Sequence, residues 1–355
     1  MKEEILREKV EHLNLELDED VGKLVEAFHK TSFQSRNIAR CYDVYAAMLN
    51  DPSRVTIFLG LAGAMVPAGM RKVIRDMVEY GMVDVLVSTG ANLYHDICEA
   101  YGVHHYLGSP NVDDAFLRRI RVDRVYDTFT DDEGLERVDN IIAQIVDEME
   151  VGVYSSREFL ALLGGRLNDD SSILATAVRR GVPVFCPAIS DSSIGIALVK
   201  HYLRCEERGR KPVVIDTVKD CYEIMQIRLK SRKSGAVYIG GGVPKNFIQQ
   251  IPVTLDILGY KNPGFAHDFA IQITMDDPKW GGLSGATIEE AQSWGKVKAD
   301  ATKATVYVDA TIGLPLIVGA LMKTQRAALK RRGRLLFNWD KGKLIDLRVE
   351  KDVSA

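Results

Sequence analysis

The run Val55-Thr-Ile-Phe-Leu-Gly60 begins a rhythm that decides the fold. A helical pattern from about residue 69 to 80 follows it, and Val83-Asp-Val-Leu-Val87 is the next run of the same kind. Short apolar and β-branched runs between helical patterns indicate parallel strands joined by helices. Several runs lack polar alternation, as strands covered on both faces should. We therefore predict an α/β fold with a mostly parallel sheet and helices on both faces.

Later runs extend this pattern, and each is expected to add a strand: Val182–Phe185, Val213–Ile215, Ala236–Ile239, Phe269–Ile273 and Thr305–Val308. Residues 1–50 instead carry apolar residues at three- and four-residue spacing, from Glu8 to Leu15 and from Val21 to Phe28, which predicts helices. We expect an N-terminal helical extension over 1–50, one α/β domain over 51–322, and a C-terminal tail over 323–355.

The expected tail is strongly basic, and its cations are Lys323, Arg326, Lys330, Arg331, Arg332 and Arg334. A solvated helix end is one interpretation of this cluster, and contact with an acidic partner is the other. The whole chain carries a net charge of −3, which argues against a general nucleic-acid-binding protein.

Cysteine spacing and the N-terminal residues exclude further classes of protein. The five cysteines are scattered and form no CxxC pair, so we expect reduced thiols and no metal site. No apolar run approaches the ~18 residues of a membrane span. The start Met1-Lys-Glu-Glu4 is charged rather than apolar, so we expect no signal peptide and predict a cytoplasmic protein without membrane contact.

Small and acidic residues recur just after the predicted strands, where parallel α/β sheets bind ligands. The segments are 60–69, 88–91, 186–191 and 240–242, with Asp216 and Asp309-Ala310. Small residues let a ligand approach the backbone, and acids bind hydroxyl groups or amines. The triple glycine Gly240-Gly241-Gly242 fits either a tight turn or a nucleotide cradle, since it lacks the GxGxxG fingerprint. Asp191 fits either a helix cap or a ligand contact.

A short helical pattern closes on Ser293-Trp-Gly-Lys296. Glu290 and Trp294 lie four residues apart on one helical face, and an acid beside an aromatic ring can hold an alkylammonium ion. Glu290 also completes the capping-box pattern Thr287-Ile-Glu-Glu290, which is a purely structural alternative. A lysine packed against apolar and aromatic surface becomes a nucleophile for imine chemistry, although most lysines are solvated.

These motifs, in this order, resemble the deoxyhypusine synthase family from about residue 30 to 320. The matching segments are Phe33-Gln34, 83–90, 183–195, 239–243, 281–286, 289–296 and 306–317. The resemblance implies a Rossmann-like α/β domain, assembled as a homotetramer with active sites at dimer interfaces. It also implies that NAD is used without net redox change. In the implied reaction NAD takes a hydride from spermidine, diaminopropane leaves, and the aminobutyl group becomes an imine on a lysine. An acceptor amine then displaces the enzyme, and NADH returns the hydride.

The resemblance also implies a role for each matching residue. Lys296 would form the imine, and Glu290 and Trp294 would hold the polyamine. Asn246 and Gln250 would belong to the same substrate site. Contacts with NAD are implied for Thr89, Gly90, Asp191, Gly241, Gly242, Asp309 and Ala310.

Several positions depart from the family pattern. This chain has Ala62-Gly63-Ala64 where the family has Thr-Ser-Asn, and it has His95 where the family has an acid. In the amine site it has Ile196 in place of an aspartate, Asn246 in place of a histidine, Gln250 in place of an asparagine and Gln272 in place of a tyrosine. Losing a buried acid weakens the capture of one ammonium group by about 1.5–3 kcal/mol, because charge-assisted hydrogen bonds are strong. The nucleophile is therefore kept while the residues that recognise the amine differ. Replacing the family histidine removes the obvious proton carrier, and His95 and His267 are the candidates to substitute for it.

Two functions follow from the sequence. The first is NAD-dependent transfer of an aminobutyl or related aminoalkyl group from a polyamine, through an imine on Lys296, to an amine acceptor. That acceptor is a lysine of the translation factor that carries hypusine, or a small amine, as in homospermidine synthesis. The second is an NAD-binding oligomer that has lost catalysis and serves a regulatory or structural role. The altered 62–64 loop and Ile196 favour the second. The joint retention of Lys296, Trp294 and Glu290 opposes it, because a protein without catalysis need not keep them.

Overall fold

A computed structural model describes residues 9–15, 20–260 and 263–350 of the chain. Its strands are β1 (Thr56–Leu61), β2 (Val85–Ser88), β3 (His105–Leu107), β4 (Val122–Val125), β5 (Thr128–Asp131), β6 (Val153–Tyr154), β7 (Val184–Phe185), β8 (Val214–Ile215), β9 (Ser234–Ile239), β10 (His267–Thr274), β11 (Val297–Tyr307), β12 (Arg334–Asp340) and β13 (Lys343–Glu350). Its helices are α1 (Val21–Ala27), α2 (Phe33–Asn50), α3 (Arg71–Glu79), α4 (Gly90–Ala100), α5 (Asp114–Arg119), α6 (Asp132–Asp147), α7 (Ser156–Gly164), α8 (Ile173–Arg179), α9 (Ser193–Glu207), α10 (Thr217–Lys230), α11 (Gly242–Ile257), α12 (Ile288–Ser293), α13 (Ala310–Thr324) and α14 (Arg326–Arg332). Single 3-10 turns cover Phe28–Lys30, Pro263–Phe265 and Pro278–Trp280.

Six parallel strands form the central sheet, in the order β11–β10–β9–β1–β2–β7. Successive side chains of β1 enter two different cores: Ile57 and Leu59 belong to one buried cluster and Phe58 to the other. Helices cover both faces, so both sets of side chains must be apolar, which explains why the runs do not alternate. The α/β class with a mostly parallel sheet is therefore confirmed.

The N-terminal helices pack into the core of this domain. Val25 of α1 and Tyr45 of α2 are buried in the same cluster as Leu59 of the central sheet. The helix predicted over Glu8–Leu15 is wrong for residues 9–15, which are not helical, and Glu8 lies outside the described residues. Apolar spacing alone does not hold a short helix without a surface to receive it, and Val10, Leu13 and Leu15 are exposed.

Among the described residues, three small sheets lie outside the central one, and two of them precede the C-terminal segment. The strand predicted at 213–215 does not join the central sheet: β8 pairs with β6 in a two-stranded sheet. Strands β3, β5 and β4 form an antiparallel sheet that the sequence analysis did not predict. Their side chains are mostly half-buried or exposed, so they lack the apolar signal that marks the central strands.

The C-terminal segment folds back onto the domain as α14 and an antiparallel hairpin of β12 and β13. The Trp339 ring stacks on the Arg157 guanidinium at 4.1 Å. Arg331 is exposed, as a solvated helix end requires, but Arg332 is buried and ion-paired with Asp84, so that interpretation is wrong for Arg332. The boundaries after residues 50 and 322 stay predictions.

The carboxyl ends of the six central strands meet at one edge, where α/β sheets bind ligands. In the described part of the chain, no helix is long and apolar enough to cross a membrane. Among the same residues, no group of three His, Cys, Asp or Glu side chains is placed to hold a metal ion.

Candidate active site

A short helix and a glycine turn precede Lys296, which lies immediately before β11. The Thr287 hydroxyl accepts a hydrogen bond from the backbone N–H of Glu290 at 2.9 Å and so begins α12. After α12, Gly295 adopts a φ of +68°, in the left-handed region that favours glycine. The chain therefore turns sharply between Trp294 and Lys296 and enters the strand in a new direction.

Several of the implied substrate residues meet around the Lys296 amine. Its Nζ donates to Oδ1 of Asn246 on α11 at 3.3 Å and lies 5.5 Å from the centre of the Trp294 ring. Burial lowers the pKa of Lys296, the Glu290 carboxylate raises it, and the net direction is down. Trp294 is 62% exposed and Glu290 is exposed, so this part of the site is open. Gln250, one turn further along α11, is exposed as well.

The structural alternative for Glu290 is only half realised. Helix α7 begins with a complete capping box, in which Ser155 and Glu158 each bond the other's backbone N–H. At α12 the bond from Glu290 N to Thr287 is present, but the return bond from the Glu290 carboxylate is absent among the described residues. The carboxylate is therefore available to an ammonium group.

A second lysine, which the sequence analysis did not single out, lies beside this group. Lys245 on α11 is 1% exposed, and its Nζ donates to Oε1 of Gln272 at 2.9 Å and to the Ala286 carbonyl. Burial, followed by the charge of Lys296, lowers the pKa of Lys245 to about 8. The sequence carries no clear signal for its burial, because lysine side chains are almost always solvated.

Gln272 connects the lysine group to the triple glycine. Its Nε2 donates to the carbonyls of Gly240 at 2.9 Å and Ser284 at 2.7 Å, while its Oε1 accepts from Lys245. The side chain is 1% exposed, so Gln272 lies under the 275–287 loop and does not present its amide to an open pocket. Its family position would have suggested a pocket-lining residue, but here it is a buried link between two parts of the site.

The triple glycine forms a tight turn against the protein's own loop. Gly240 and Gly242 have φ of +66° and +56°, which favour glycine. A Cβ on Gly241 would lie 2.4 Å from Cα of Ser284, and the Ser284 hydroxyl accepts a hydrogen bond from Gly242 N at 3.1 Å. The turn accounts for the glycines by itself, and the nucleotide cradle stays a prediction.

Thr89 and Gly90 lie where β2 leads into α4, and the loop before α9 packs on them. A Cβ on Gly90 would lie 2.3 Å from Oγ of Ser192. The Thr89 hydroxyl accepts a hydrogen bond from Asn92 Nδ2 at 3.1 Å. Ser192 rather than Asp191 is the N-cap of α9, so the cap interpretation of Asp191 is wrong. Asp191 is exposed, and its carboxylate is open to solvent at this edge.

Asp309 and Ala310 lie at the same edge, where Asp309 caps α13 and Ala310 is its first residue. Asp309 Oδ1 accepts from the Thr311 hydroxyl at 2.6 Å and from Thr311 N at 2.8 Å, and these bonds lower the pKa of Asp309. The three residues border a cavity of about 920 Å³, whose wall also includes the 62–69 loop and His105. Thr89, Gly90, Asp191, Gly241 and Gly242 lie outside the lining of this cavity.

The two histidines considered as proton carriers have hydrogen-bond partners other than the Lys296 amine. His267 is fully buried, both ring nitrogens are hydrogen-bonded, and burial lowers its pKa to about 4. His95 bonds His105 at 2.9 Å, and the other ring nitrogen of His105 bonds Glu99 at 2.7 Å. In the described part of the chain, neither His95 nor His267 has a ring nitrogen bonded to Lys296.

Comparison with known proteins places the whole α/β domain in one family. The family model described as deoxyhypusine synthase matches residues 23–321. The relative described as "Probable deoxyhypusine synthase 2" of Methanosarcina mazei is 47% identical over 327 residues, covering 91% of this chain and 92% of the relative. The "Deoxyhypusine synthase-like protein" of Chlorobaculum tepidum is 43% identical, covering 88% and 89%.

A solved structure shows the same fold at low sequence identity. The crystal structure described as a putative deoxyhypusine synthase from Entamoeba histolytica superposes with a TM-score of 0.60 at 20% identity, covering 89% of this chain and 97% of that one.

Proposed function

The chain belongs to the deoxyhypusine synthase family, and we propose that it transfers an aminobutyl or related aminoalkyl group from a polyamine to an amine acceptor, with Lys296 as the nucleophile. The placement of the Lys296 amine supports this most. It is half-buried, bonded to the neutral amide of Asn246 and close to the Trp294 ring. Burial lowers its pKa, which raises the fraction of free amine, the form that attacks carbon.

The surroundings of Lys296 suit a cationic amine substrate. The exposed Trp294 ring offers a face to an ammonium group, and the Glu290 carboxylate offers a counter-charge on the same helical face. Asn246 is an amide, so it can orient the Lys296 amine by accepting a hydrogen bond but cannot take up a proton at neutral pH. Asn246 and Glu290 would thus fix the nucleophile and the substrate relative to each other.

The proposed transfer balances with Lys296 as a temporary carrier. The Lys296 nitrogen adds to the oxidised carbon of the polyamine, the bond from that carbon to the departing diamine breaks, and the diamine takes up the proton that Lys296 loses. An imine then joins Lys296 to the aminoalkyl group. An acceptor amine adds to the same carbon, and the bond to Lys296 breaks, which restores the free lysine.

We include NAD in the proposal because a cavity and an ionised acid lie at the carboxyl edge of the sheet, where α/β folds bind dinucleotides. When bound, NAD would supply the hydride acceptor for the donor amine and the hydride that completes the product. The cavity of about 920 Å³ lies at this edge, and Asp309, ionised because Thr311 bonds lower its pKa, can accept hydrogen bonds from ribose hydroxyls. Ala310 leaves room beside it. Gly90 and Gly241 contact serines of the chain itself, so Asp309 and Ala310 are the better supported contacts.

A homotetramer belongs to the same proposal. Helix α9 presents a stripe of apolar side chains that are each about half exposed: Ile196, Val199, Tyr202 and Leu203. Such a stripe supports contact with a second copy of the chain. Ile196 stands in it where the family has an acid, so position 196 brings no counter-charge to an amine. The mass of the assembly by light scattering tests this part.

The decisive experiment traps the lysine adduct. The protein is incubated with spermidine and NAD, reduced with borohydride, and digested for mass spectrometry. We expect an added aminobutyl group on Lys296, none without NAD, and none in Lys296→Ala. Lys298→Ala is the matched control, because Lys298 is two residues away and ion-paired with Asp268 at 2.6 Å, and it should keep the adduct.

Adding an acceptor before reduction separates the two transfer reactions. A product on a lysine of the translation factor indicates hypusine-type transfer, and a product on putrescine indicates small-amine transfer. NAD binding in calorimetry without an adduct from any polyamine would reject the transferase and leave the NAD-binding oligomer.

A further inference from the structure

Another cavity lies at the amino ends of the central strands. It has a volume of about 640 Å³ and is bordered by Thr56, the first residue of β1, and by Ser231, shortly before β9. The cavity of about 920 Å³ that Asp309 borders lies at the carboxyl ends of the same sheet, so the two are on opposite edges. One side of the smaller cavity comes from α14 and the β12–β13 hairpin, which follow residue 321, where the match to the family model ends.

The charged side chains in the wall of this smaller cavity are almost all cationic. Its only acid among the described residues is Asp51, which is already ion-paired with Lys233 at 2.8 Å. Lys230 and Arg232 are exposed and have no ion pair in the part of the chain that the structure describes. The cations of the wall are Arg54, Lys230, Arg232, Arg331, Arg332 and Arg348. We call this the basic cavity.

Arg332, in the wall of the basic cavity, uses only part of its guanidinium group. It is 7% exposed, and its Nη2 donates to Asp84 and to the Val55 carbonyl. Its Nε and Nη1 are buried and have no hydrogen-bond partner among the described residues. Buried donors in native proteins nearly always have a partner. These two therefore indicate negative charge in the cavity that the chain itself does not supply.

The rest of the wall indicates the kind of anion. Guanidinium and ammonium groups hold phosphate oxygens by charge-assisted hydrogen bonds. The wall also has an apolar part, which suits an organic ring: Leu49, Pro52, Leu335, Leu347 and Val349. Its volume lies within the range of about 300–1,000 Å³ that is typical of small-molecule sites. A concave site of this size favours a small ligand with several phosphates and a ring over the flat surface of an acidic protein.

We propose that the basic cavity binds a nucleoside polyphosphate, with Lys230, Arg232 and Arg331 on its phosphates and the apolar residues of the β12–β13 hairpin beside its base. The site is independent of the proposed aminoalkyl transfer, since it uses neither Lys296 nor the cavity that Asp309 borders. A ligand there joins the C-terminal hairpin to the start of β1. It should therefore stabilise the folded chain by binding that state alone.

The test uses the full-length protein and ATP without magnesium, in calorimetry at low salt. We expect ATP to bind more tightly than tripolyphosphate, because the apolar wall contacts the base, and tripolyphosphate to bind more tightly than adenosine. The double variant Lys230→Ala/Arg232→Ala should weaken ATP binding by about tenfold or more, because it removes two charge-assisted contacts. The matched control is Arg210→Ala/Lys211→Ala, which removes the same two residue types from exposed positions outside the cavity and should weaken ATP binding by less than about twofold.

Thermal melting checks folding and gives a second measure of binding. ATP should raise the Tm of the unaltered protein and of the control, but not that of Lys230→Ala/Arg232→Ala. If that double variant is not folded, Arg232→Glu replaces it, since reversal of one exposed charge should also weaken ATP binding.

Four results would overturn the proposal. Absence of ATP binding would leave the basic cavity without the proposed occupant, and equal losses in the two double variants would show only long-range attraction. Equal affinities for ATP and tripolyphosphate would remove the contact with the base. A decaglutamate peptide that binds more tightly than ATP would assign the cavity to an acidic partner instead.

Discussion

Two clusters of buried charge in this protein are built in opposite ways. Asp84 is 4% exposed and ion-paired with both Arg54 and Arg332. Lys245 is 1% exposed and bonded to neutral oxygens, and the charge of Lys296 adds to burial in lowering its pKa. A paired buried charge resists removal of either partner, because the remaining charge would be left without compensation. An unpaired one is costly to keep charged, and such groups are concentrated where chemistry needs an altered proton affinity.

The Asp84 cluster joins segments that are far apart in the sequence. Burial raises the pKa of Asp84, but Arg332 and Arg54 outweigh it and hold the value at about 2. Asp84 also accepts a hydrogen bond from Ile57 N at 2.9 Å. The carboxylate thus fixes the start of β1 and the end of α14 to the segment that leads into β2.

The largest effect on stability is expected for Asp84→Asn. The substitution keeps the shape of the side chain but leaves the buried Arg332 and the half-buried Arg54 without their counter-charge, so we expect a loss of about 3–5 kcal/mol in the free energy of unfolding. Urea denaturation at pH 7 measures it. Asp346→Asn is the control, because the Asp346–Arg348 pair on β13 is exposed and should contribute at most about 1 kcal/mol. Similar losses in the two variants would show that the Asp84 cluster is no stronger than a surface pair.

A smaller effect, visible as a pH dependence, is expected for Lys245→Met. The pKa of Lys245 is about 8 in the folded chain and about 10.4 in an unfolded one. Between these two pKa values the unfolded state binds more protons than the folded state. The contribution of Lys245 to stability therefore increases as pH rises through this interval, and it is lost as pH drops through 8. We expect the unfolding free energy of the unaltered protein, relative to Lys245→Met, to increase by about 2 kcal/mol from pH 8 to pH 10.

Lys233 provides a control, because its pKa is raised whereas the pKa of Lys245 is lowered. Its hydrogen bond and ion pair with Asp51 at 2.8 Å raise its pKa, so its contribution to stability is present at lower pH and is lost as pH rises through the raised value. Lys233→Met should therefore give a difference that stays flat or decreases over the same range. A Lys245 difference that is flat as well would mean that Lys245 is not preferentially neutral in the fold.

The sequence predicted those elements whose signal is local. The central strands were found because their apolar runs are long enough to be covered on both faces, as Phe58 and Leu59 in the two cores show. The motif around Lys296 is visible in the sequence because the start of a helix, an aromatic residue and a glycine turn lie within a few residues of one another. The strand at 213–215 was assigned to the wrong sheet, since two or three apolar residues do not specify a partner.

The buried charges could not be predicted in this way. Asp84 follows Val83 within an apolar run, but its partner Arg332 is 248 residues further along the chain. Lys245 belongs to a residue type that is almost always solvated, and only the packing of α11 against β10 and the 275–287 loop buries it. Both clusters depend on tertiary contacts, so their charge balance becomes visible only once the fold is known.

The smallest effect on stability is expected for Gly295→Ala, at the turn just before Lys296. Gly295→Ala adds a Cβ that meets nothing within 4 Å, so the cost comes from the backbone alone, at a φ of +68°. We expect about 1 kcal/mol in the free energy of unfolding, measured by urea denaturation. Gly282→Ala is the matched control, because its Cβ also meets nothing and its φ is not in the left-handed region. If the chain relieved the strain by changing direction at residue 295, stability would hardly change, while the Lys296 amine would move away from Asn246 and the trapped adduct would decrease. A variant that loses neither stability nor adduct would show that the left-handed turn is not needed to hold Lys296 beside Asn246.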